Sequence, residues 1–572
     1  MDTKSELHPS LKEAPVQPLS DESLDSPPGS PSPSPEKKRG KLETTVLMVA
    51  LCMSVFLAAL DMTILGTALP TIAEHFQSIE VYVWVGSAFL LASGASMPTW
   101  GKLSDIWGRK ALLLLATAVF FLGSALCAAA TSSAMLIAGR TVQGVGSGGL
   151  LSLVNIVIGD LFSPRDRGVY YGIIGMMWAL ASSIGPVIGG ALTEKVSWRW
   201  CFYINLPVSA VTFVVIILTL HLQTPKTPIV AGLKAIDWLG SLTIAGATTL
   251  FLLGLQFGGV KYAWSSPAVI CLIIFGGIAF IIFFFIESRA RYPLMPLRIF
   301  ATKSNLALLA INFAHAAPFM EAGFFIPTYF QAVLSASPLL SAVWLFPWIL
   351  SVSFFTAGGG IYIKKTGRYF DCMVFSLLTS LLGYALLYNL PNHKGWAKIV
   401  IYQLIAGIGS GMNFQAPLVA LQSSSIVTAQ DNGTVTATYS FIRTLTYAIG
   451  VVIGSAILSN RMNSHRATLE DALGSTLAER FSGRDAQANI PLIESLPTAA
   501  QRQTVRQAYY ESIQTIWIQV ACIIVIGLVA LPLVERKRQL SRTHEEVRTG
   551  LEAEEHRRTL AQKPKVKEEE EG

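Results

Sequence analysis

About twenty consecutive apolar residues carry an α-helix across a bilayer, and this chain of 572 residues repeats such a stretch along most of its length. The stretches fall near 45–70, 81–100, 111–130, 136–161, 168–192, 201–221, 237–257, 267–287, 305–331, 339–362, 371–390, 398–421, 434–458 and 514–534. They are continuously apolar rather than alternating, which excludes the strands of a membrane barrel. The pattern predicts an all-α polytopic membrane protein with fourteen transmembrane helices. Hydrophobic residues make up 52% of the chain and charged residues 14%, against about 25% charged in soluble domains.

The charges crowd into the tails and a few short connections. An even number of spans puts both tails on one side, and the Lys and Arg count decides which. With both tails cytosolic, the inner flanks hold twenty-two Lys and Arg and the short outer loops five, as positive-inside insertion requires. The net charge of +7 needs no nucleic acid to explain it, because no basic helix or aromatic-interleaved basic patch is present. Residues 1–44 are polar, with the Ser-Pro-rich run SPPGSPSPSP, and read as a disordered cytosolic tail. They are too long and polar to lead a cleaved signal peptide. Residues 535–572 read as a charged cytosolic tail, and 459–513 as a long outer loop. The six cysteines lie in or beside apolar segments without CxxC spacing, so they read as small packing residues. The one N-glycosylation sequon, Asn432-Gly433-Thr434, falls on the cytosolic side and is expected to be unused.

The chain also repeats itself. Gly101, Gly108 and Arg109 match Gly360, Gly367 and Arg368 at an offset of 259 residues; Gly144 through Gly148 match Gly407 through Gly411 at 263; Ile184, Gly185 and Gly189 match Ile449, Gly450 and Gly454 at 265. Close helix packing explains any one of these glycines, but not their recurrence on corresponding helices. The repeat predicts two pseudo-symmetric six-helix bundles at 45–221 and 305–534. Two extra helices with their inner loops, at 222–304, lie between them in a 6+2+6 arrangement.

These motifs resemble the major facilitator superfamily, and within it the fourteen-helix drug:proton antiporter branch, over roughly residues 45–535. Gly101-Lys102-Leu103-Ser104-Asp105-Ile106-Trp107-Gly108-Arg109-Lys110 is similar to the superfamily's most widespread signature. Arg140-Thr141-Val142-Gln143-Gly144 resembles its proton-coupling motif, and Gly185-Pro186 with Gly189-Gly190 its antiporter motif. Leu60-Asp61-Met62-Thr63-Ile64 and the run from Trp198 through Asn205 to Pro207 resemble the fourteen-helix branch itself. The polar N-terminal tail and the long last outer loop look fungal. The resemblance implies a major facilitator fold and a multidrug or toxin efflux pump.

Single residues then stand out on physical grounds. A carboxylate at membrane depth costs roughly 2.5–3.5 kcal/mol on insertion scales, so Asp61 must face a cavity or a partner. Arg140, on a helix running the other way, reaches a similar depth at about 1.5 Å per residue, and the two are expected to meet. Glu321 opens the second half as Asp61 opens the first, and reads as a second proton or substrate site. His315 lies about 240° round the same helix. Arg443 is a further cavity candidate. Arg140 and Asp105 correspond in the repeat to Gln403 and Lys364, which concentrates proton handling in the first half. Gly101, Asp105, Gly108, Arg109, Gly367 and Arg368 read as an exposed latch that closes the cytosolic side. Gly185-Pro186 is expected to interrupt its helix.

Other classes are disfavoured by what the sequence lacks. It has no GxxxxGK[ST] loop for a nucleotide and no complete HExxH, since Arg548 stands where the second His belongs. It reads as a transporter rather than an enzyme, requiring no cofactor and no metal, with a small molecule, protons and the bilayer as partners. Aromatic and Met side chains on the fifth and ninth segments suit an amphipathic drug, toxin or secondary metabolite. A proton-coupled carrier of basic amino acids, polyamines or iron chelates, possibly vacuolar, is the alternative. Function as a monomer in the plasma membrane is expected.

Overall fold

The structure is a computed structural model that describes residues 40–77, 79–220, 222, 225–259, 262–536, 540, 547 and 549–555. Most of the N-terminal tail, and residues 556–572 of the C-terminal one, lie outside the described residues. The fourteen expected segments are all helical. They are α1 Lys41–Phe76, α2 Ile79–Trp107, α3 Arg109–Ala128, α4 Ser133–Leu161 and α5 Pro164–Lys195. Next come α6 Trp200–Thr219, α7 Trp238–Phe257, α8 Pro267–Arg289, α9 Lys303–Ala332 and α10 Phe346–Thr366. The last are α11 Phe370–Leu387, α12 Trp396–Gln422, α13 Asn432–Ser464 and α14 Ala499–Ala530. Among the described residues there is no strand, only one isolated bridge between Gly258 and Tyr262.

Among the described residues, thirteen helices are long and apolar enough to cross a membrane. The second segment is not among them, so a count of fourteen spans is not confirmed. It is 29 residues long. Helix starts follow ordinary capping chemistry: Ser132, Ser163, Thr302 and Thr498 each accept a backbone N–H in the first turn. Pro186 does not interrupt α5, which continues to Lys195.

The internal repeat is visible as packing. The small face of α4 lies on α2 and α3, and that of α12 on α10 and α11. A Cβ at Gly146 would stand 2.7 Å from Phe120 Cα, and one at Gly409 would stand 2.6 Å from Ser380 Cα. In the same way Gly185 of α5 meets α1 at Thr63, and Gly450 of α13 meets α9 at Ala317. Small residues at matched places let backbones approach where lipid supplies no hydrophobic drive for association.

Helices α7 and α8 pair with one another and lie over the seam between α2 and α13, where Met97, Ile244, Phe283, Met295 and Phe441 form one buried cluster. The other face of α8 exposes Ile274, Phe275, Ile281 and Phe285, as a lipid-facing helix does.

Two connections carry more structure than the sequence suggested. Residues 459–513 are not a loop. Helix α13 runs on to Ser464, short helices form at Arg466–Leu473 and Ser475–Arg480, and α14 begins at Ala499. Leu469, Phe481 and Ile493 of this cap are buried in one cluster with Val505 and Tyr509 of α14. Near the C-terminus, Leu551–Glu555 is helical and packs at the α2–α3 connection. There the Gly550 N–H donates to Asp105 O at 2.8 Å, and Lys102 Nζ donates to Glu554 Oε2 at 2.7 Å with both side chains buried.

Candidate functional site

Three groups of residues are candidates for function. The first is a buried polar network at the middle of the first bundle. On α1, Asp61 is fully buried. Its Oδ2 accepts from Arg140 Nη1 of α4, and its Oδ1 accepts from Gln143 Nε2 at 2.7 Å and from Asn205 Nδ2 of α6 at 2.8 Å. Arg140 Nη1 also donates to Gln143 Oε1 at 2.6 Å, and its Nε to Val85 O at 3.0 Å. The guanidinium lies 4.2 Å from the centroid of the Phe89 ring. Gln143 Nε2 is tied further to Ser124 Oγ at 2.8 Å. Helices α1, α2, α3, α4 and α6 therefore all contribute to one ion pair. In the sequence Asn205 stands out only as part of a motif. Its amide gives no warning of a role, because only the fold brings it to Asp61.

The second group is a cluster of aromatic rings where the two bundles meet, here called the aromatic chamber. Trp178 of α5 faces Phe319 of α9 at 5.6 Å, Phe414 of α12 at 6.3 Å and Tyr447 of α13 at 6.4 Å between centroids. Phe319 also lies 5.1 Å from Trp348. His315 stacks on Phe319 at 6.0 Å, and its Nε2 lies 2.8 Å from Ser410 O. Arg443 places its guanidinium 5.2 Å from the Phe414 centroid and 5.5 Å from that of Tyr439. Glu321 does not join these residues. It is buried, and its Oε1 accepts only a long bond of 3.3 Å from Gln519 Nε2 of α14. His315 and Glu321 face different helices, as their angular separation predicts.

The third group closes the end that carries the α2–α3, α4–α5, α10–α11 and α12–α13 connections, here called the basic end. Arg109 pairs with Asp105 and donates from Nε to Asp160 Oδ2 at 2.6 Å and from Nη1 to Ser104 Oγ at 2.6 Å. Asp160 Oδ1 in turn accepts from Asn432 Nδ2 of the second bundle at 2.7 Å. Asn432 is thus buried and engaged inside the protein. Gly101 abuts Ala437, and Gly433 stands so close that a Cβ there would be 2.6 Å from Arg109 Nη2. Gly108 and Gly367 hold φ of 89° and 76°, a left-handed region glycine enters without strain.

The latch differs from the expectation in two respects. Asp105 and Arg109 are not exposed loop charges but are 1% and 2% accessible. Arg368 is exposed, reaching only Asp371 at 3.5 Å, because the second copy of the motif has Lys364 where the first has its acid. The second bundle is joined instead through Arg165, which donates to the carbonyls of Lys364 (2.7 Å, from Nε) and Lys365 at the end of α10. Arg298 adds an ion pair to Asp431. Asp160, Asn432 and Arg165 thus join the two bundles at this end through contacts that the repeat does not single out. On α5, Gly189 is buried and Gly190 half-buried, and Gly185 packs on α1 two residues from Asp61.

The family profile described as Major Facilitator Superfamily matches residues 51–451. The chain belongs to the major facilitator superfamily. It is a multi-pass membrane transporter rather than an enzyme. Among its major facilitator relatives, the efflux pump dotC of Dothistroma septosporum is 47% identical, over 89% of this chain and 87% of that protein. The MFS-type transporter ppz2 of Metarhizium majus is 46% identical over 90% and 89%. The efflux pump FUS6 of Gibberella moniliformis is 37% identical over 88% of each chain. Among solved structures, the human organic anion transporter MFSD10 aligns with a TM-score of 0.54 at 15% identity, covering 84% of this chain and 99% of that one. That likeness concerns the fold alone.

Proposed function

We propose that this chain exports amphipathic organic molecules, such as a toxin or secondary metabolite, in exchange for protons. It works as a monomer in the plasma membrane with both tails in the cytosol. The basic end is then the cytosolic side, and the structure corresponds to the state closed on that side. The fungal relatives named as efflux pumps support export. The observation that carries coupling is the Asp61–Arg140 pair, since both oxygens of a fully buried carboxylate are held by donors from other helices.

A proton reaching Asp61 removes its charge and leaves the Arg140 guanidinium seeking another acceptor. Arg140 is shared among Asp61, Gln143 and Val85 O, so its release loosens α1 against α4 and α6. Gly185 packs beside Thr63 on α1, which gives the same event a route into α5. Helix α5 crosses to the second bundle and bears Trp178 of the aromatic chamber. Opening of the basic end requires Arg109, Asp160 and Asn432 to separate. A buried ion group of this kind supports a two-state latch, because it is satisfied in the closed state and hydrated in the open one.

The test is efflux of fluorescent hydrophobic compounds from cells expressing the chain, with and without a protonophore, beside Asp61→Asn and Arg140→Ala. Loss of efflux under the protonophore and in both variants, at normal surface levels, is the expected result. Efflux indifferent to all three treatments refutes proton exchange.

A further inference from the structure

We propose that the aromatic chamber selects flat aromatic acids, arene carboxylates or acidic phenols, through Arg443. This substrate class rests on the export reading above and narrows it.

Arg443 is left with its charge unanswered. A guanidinium stays charged at any working pH and offers five N–H donors. Here one of them reaches Phe414 O at a long 3.5 Å. No carboxylate pairs with Arg443 among the described residues, and its charge is faced only by the rings of Phe414 and Tyr439. Two fully buried arginines, by contrast, are paired: Arg140 with Asp61 and Arg109 with Asp105 and Asp160. Arg443 is also not sealed away, since it, Trp178 and Tyr447 are half-buried.

The membrane-depth acids do not serve it. Both oxygens of Asp61 are occupied by Arg140, Gln143 and Asn205. Glu321 sits two residues from Phe319 and therefore on the opposite side of α9, against Gln519 of α14. The other ionisable groups near Arg443 are His315, whose Nε2 is directed to Ser410 O, and the phenols of Tyr439, Tyr447 and Tyr171, the last donating to Asn155 O. The chamber thus has a fixed positive charge and no fixed negative one.

The missing partner has a definable chemistry. The planar fork of a guanidinium matches a carboxylate or a pair of adjacent oxygens. Rings from α5, α9, α12 and α13 accept a flat aromatic body by offset and edge contacts. A cation in that position would meet Arg443 as a like charge, so the arrangement discriminates by sign as well as by shape.

Two dyes with one xanthene skeleton and opposite charge test this: fluorescein and a rhodamine methyl ester. Binding to the purified protein is read by fluorescence anisotropy, and transport is read in proteoliposomes with an imposed pH gradient. The variants are Arg443→Gln, Arg443→Lys and Phe319→Ala. The expected result is tighter binding of fluorescein than of the rhodamine. Arg443→Gln should weaken fluorescein roughly 10–100-fold, the range for a lost charge-assisted bond, without weakening the rhodamine. Arg443→Lys should fall between, and Phe319→Ala should weaken both dyes alike. Equal loss of both dyes in Arg443→Gln, or no preference for fluorescein in the unaltered protein, overturns the proposal. Binding with the expected preference but no gradient-driven transport leaves the substrate class standing and refutes the export reading instead.

Discussion

Replacing Asp61 by asparagine keeps the side chain's shape and removes its charge, and the network around it decides the outcome. Oδ1 accepts from Gln143 and Asn205, while Oδ2 faces Arg140. An asparagine that keeps its oxygen toward the two amides must point its NH2 at a guanidinium, donor against donor. Turned the other way, it satisfies Arg140 and points its NH2 at two further donors. Neither rotamer works, and Arg140 is left as a buried charge whose other contacts are Gln143 Oε1, Val85 O and the Phe89 ring. Removing one partner of a buried pair costs about 3–5 kcal/mol. Asp61→Asn is therefore expected to destabilise the protein by that amount in equilibrium unfolding in mixed micelles. Adding Arg140→Gln to Asp61→Asn should restore about half of the loss, because it removes the orphaned charge, while gradient-driven transport stays absent in both variants. The reasoning fails if the double variant is as unstable as the sum of the two single ones, or if Asp61→Asn still accumulates substrate against its gradient.

The closed end and the cap give two further expected outcomes. A Cβ at Gly360 would stand 2.7 Å from the carbonyl carbon of Gly168 and 3.1 Å from Val169 Cα, so Gly360→Val should disfavour the closed basic end. A cysteine placed at Gln422, now buried between Tyr171 and Thr436, should then be alkylated faster in a cysteine-free background; an unchanged rate refutes this. In the cap, burial raises the Glu494 carboxyl, but bonds from Ser335 and from Arg506 at 2.6 Å outweigh it and hold the group below its ordinary 4.5. A lowered folded value means that the stabilisation is present above the unfolded value and is lost as pH falls through the folded one. Protection of residues 465–498 from proteolysis should therefore drop as the pH is taken below about 4.5, and Glu494→Gln should remove that dependence.

Much of this architecture is legible in the sequence because lipid limits the choices. A run of twenty apolar residues has few alternatives to a helix, and a charge inside it needs a partner, which is why Asp61 and Arg140 point to one another. The hidden remainder is chosen by tertiary packing. Asn205 and Asp160 are ordinary polar residues until α6 and α4 bring them to Asp61 and Arg109. Symmetry assigns the latch of the second bundle to Arg368, but the repeat has lost its acid at Lys364, and Arg165 makes the connection. The cap at 465–498 reads as a loop because its short amphipathic helices bury single residues, such as Leu469 and Phe481, instead of forming an apolar run.

The buried bond between Lys102 and Glu554 joins residues 452 positions apart, and that separation becomes a delay while the chain is being made. At about 5–20 residues per second, Lys102 is synthesised roughly 20–90 s before its acid. Until residues 550–554 have been made, the α2–α3 connection lacks the bond of Lys102 to Glu554 and that of the Asp105 carbonyl to Gly550. A product truncated before residue 550 would carry every helix from α1 to α14 and still lack this closure. The closure of this connection thus waits on a segment made after all of those helices.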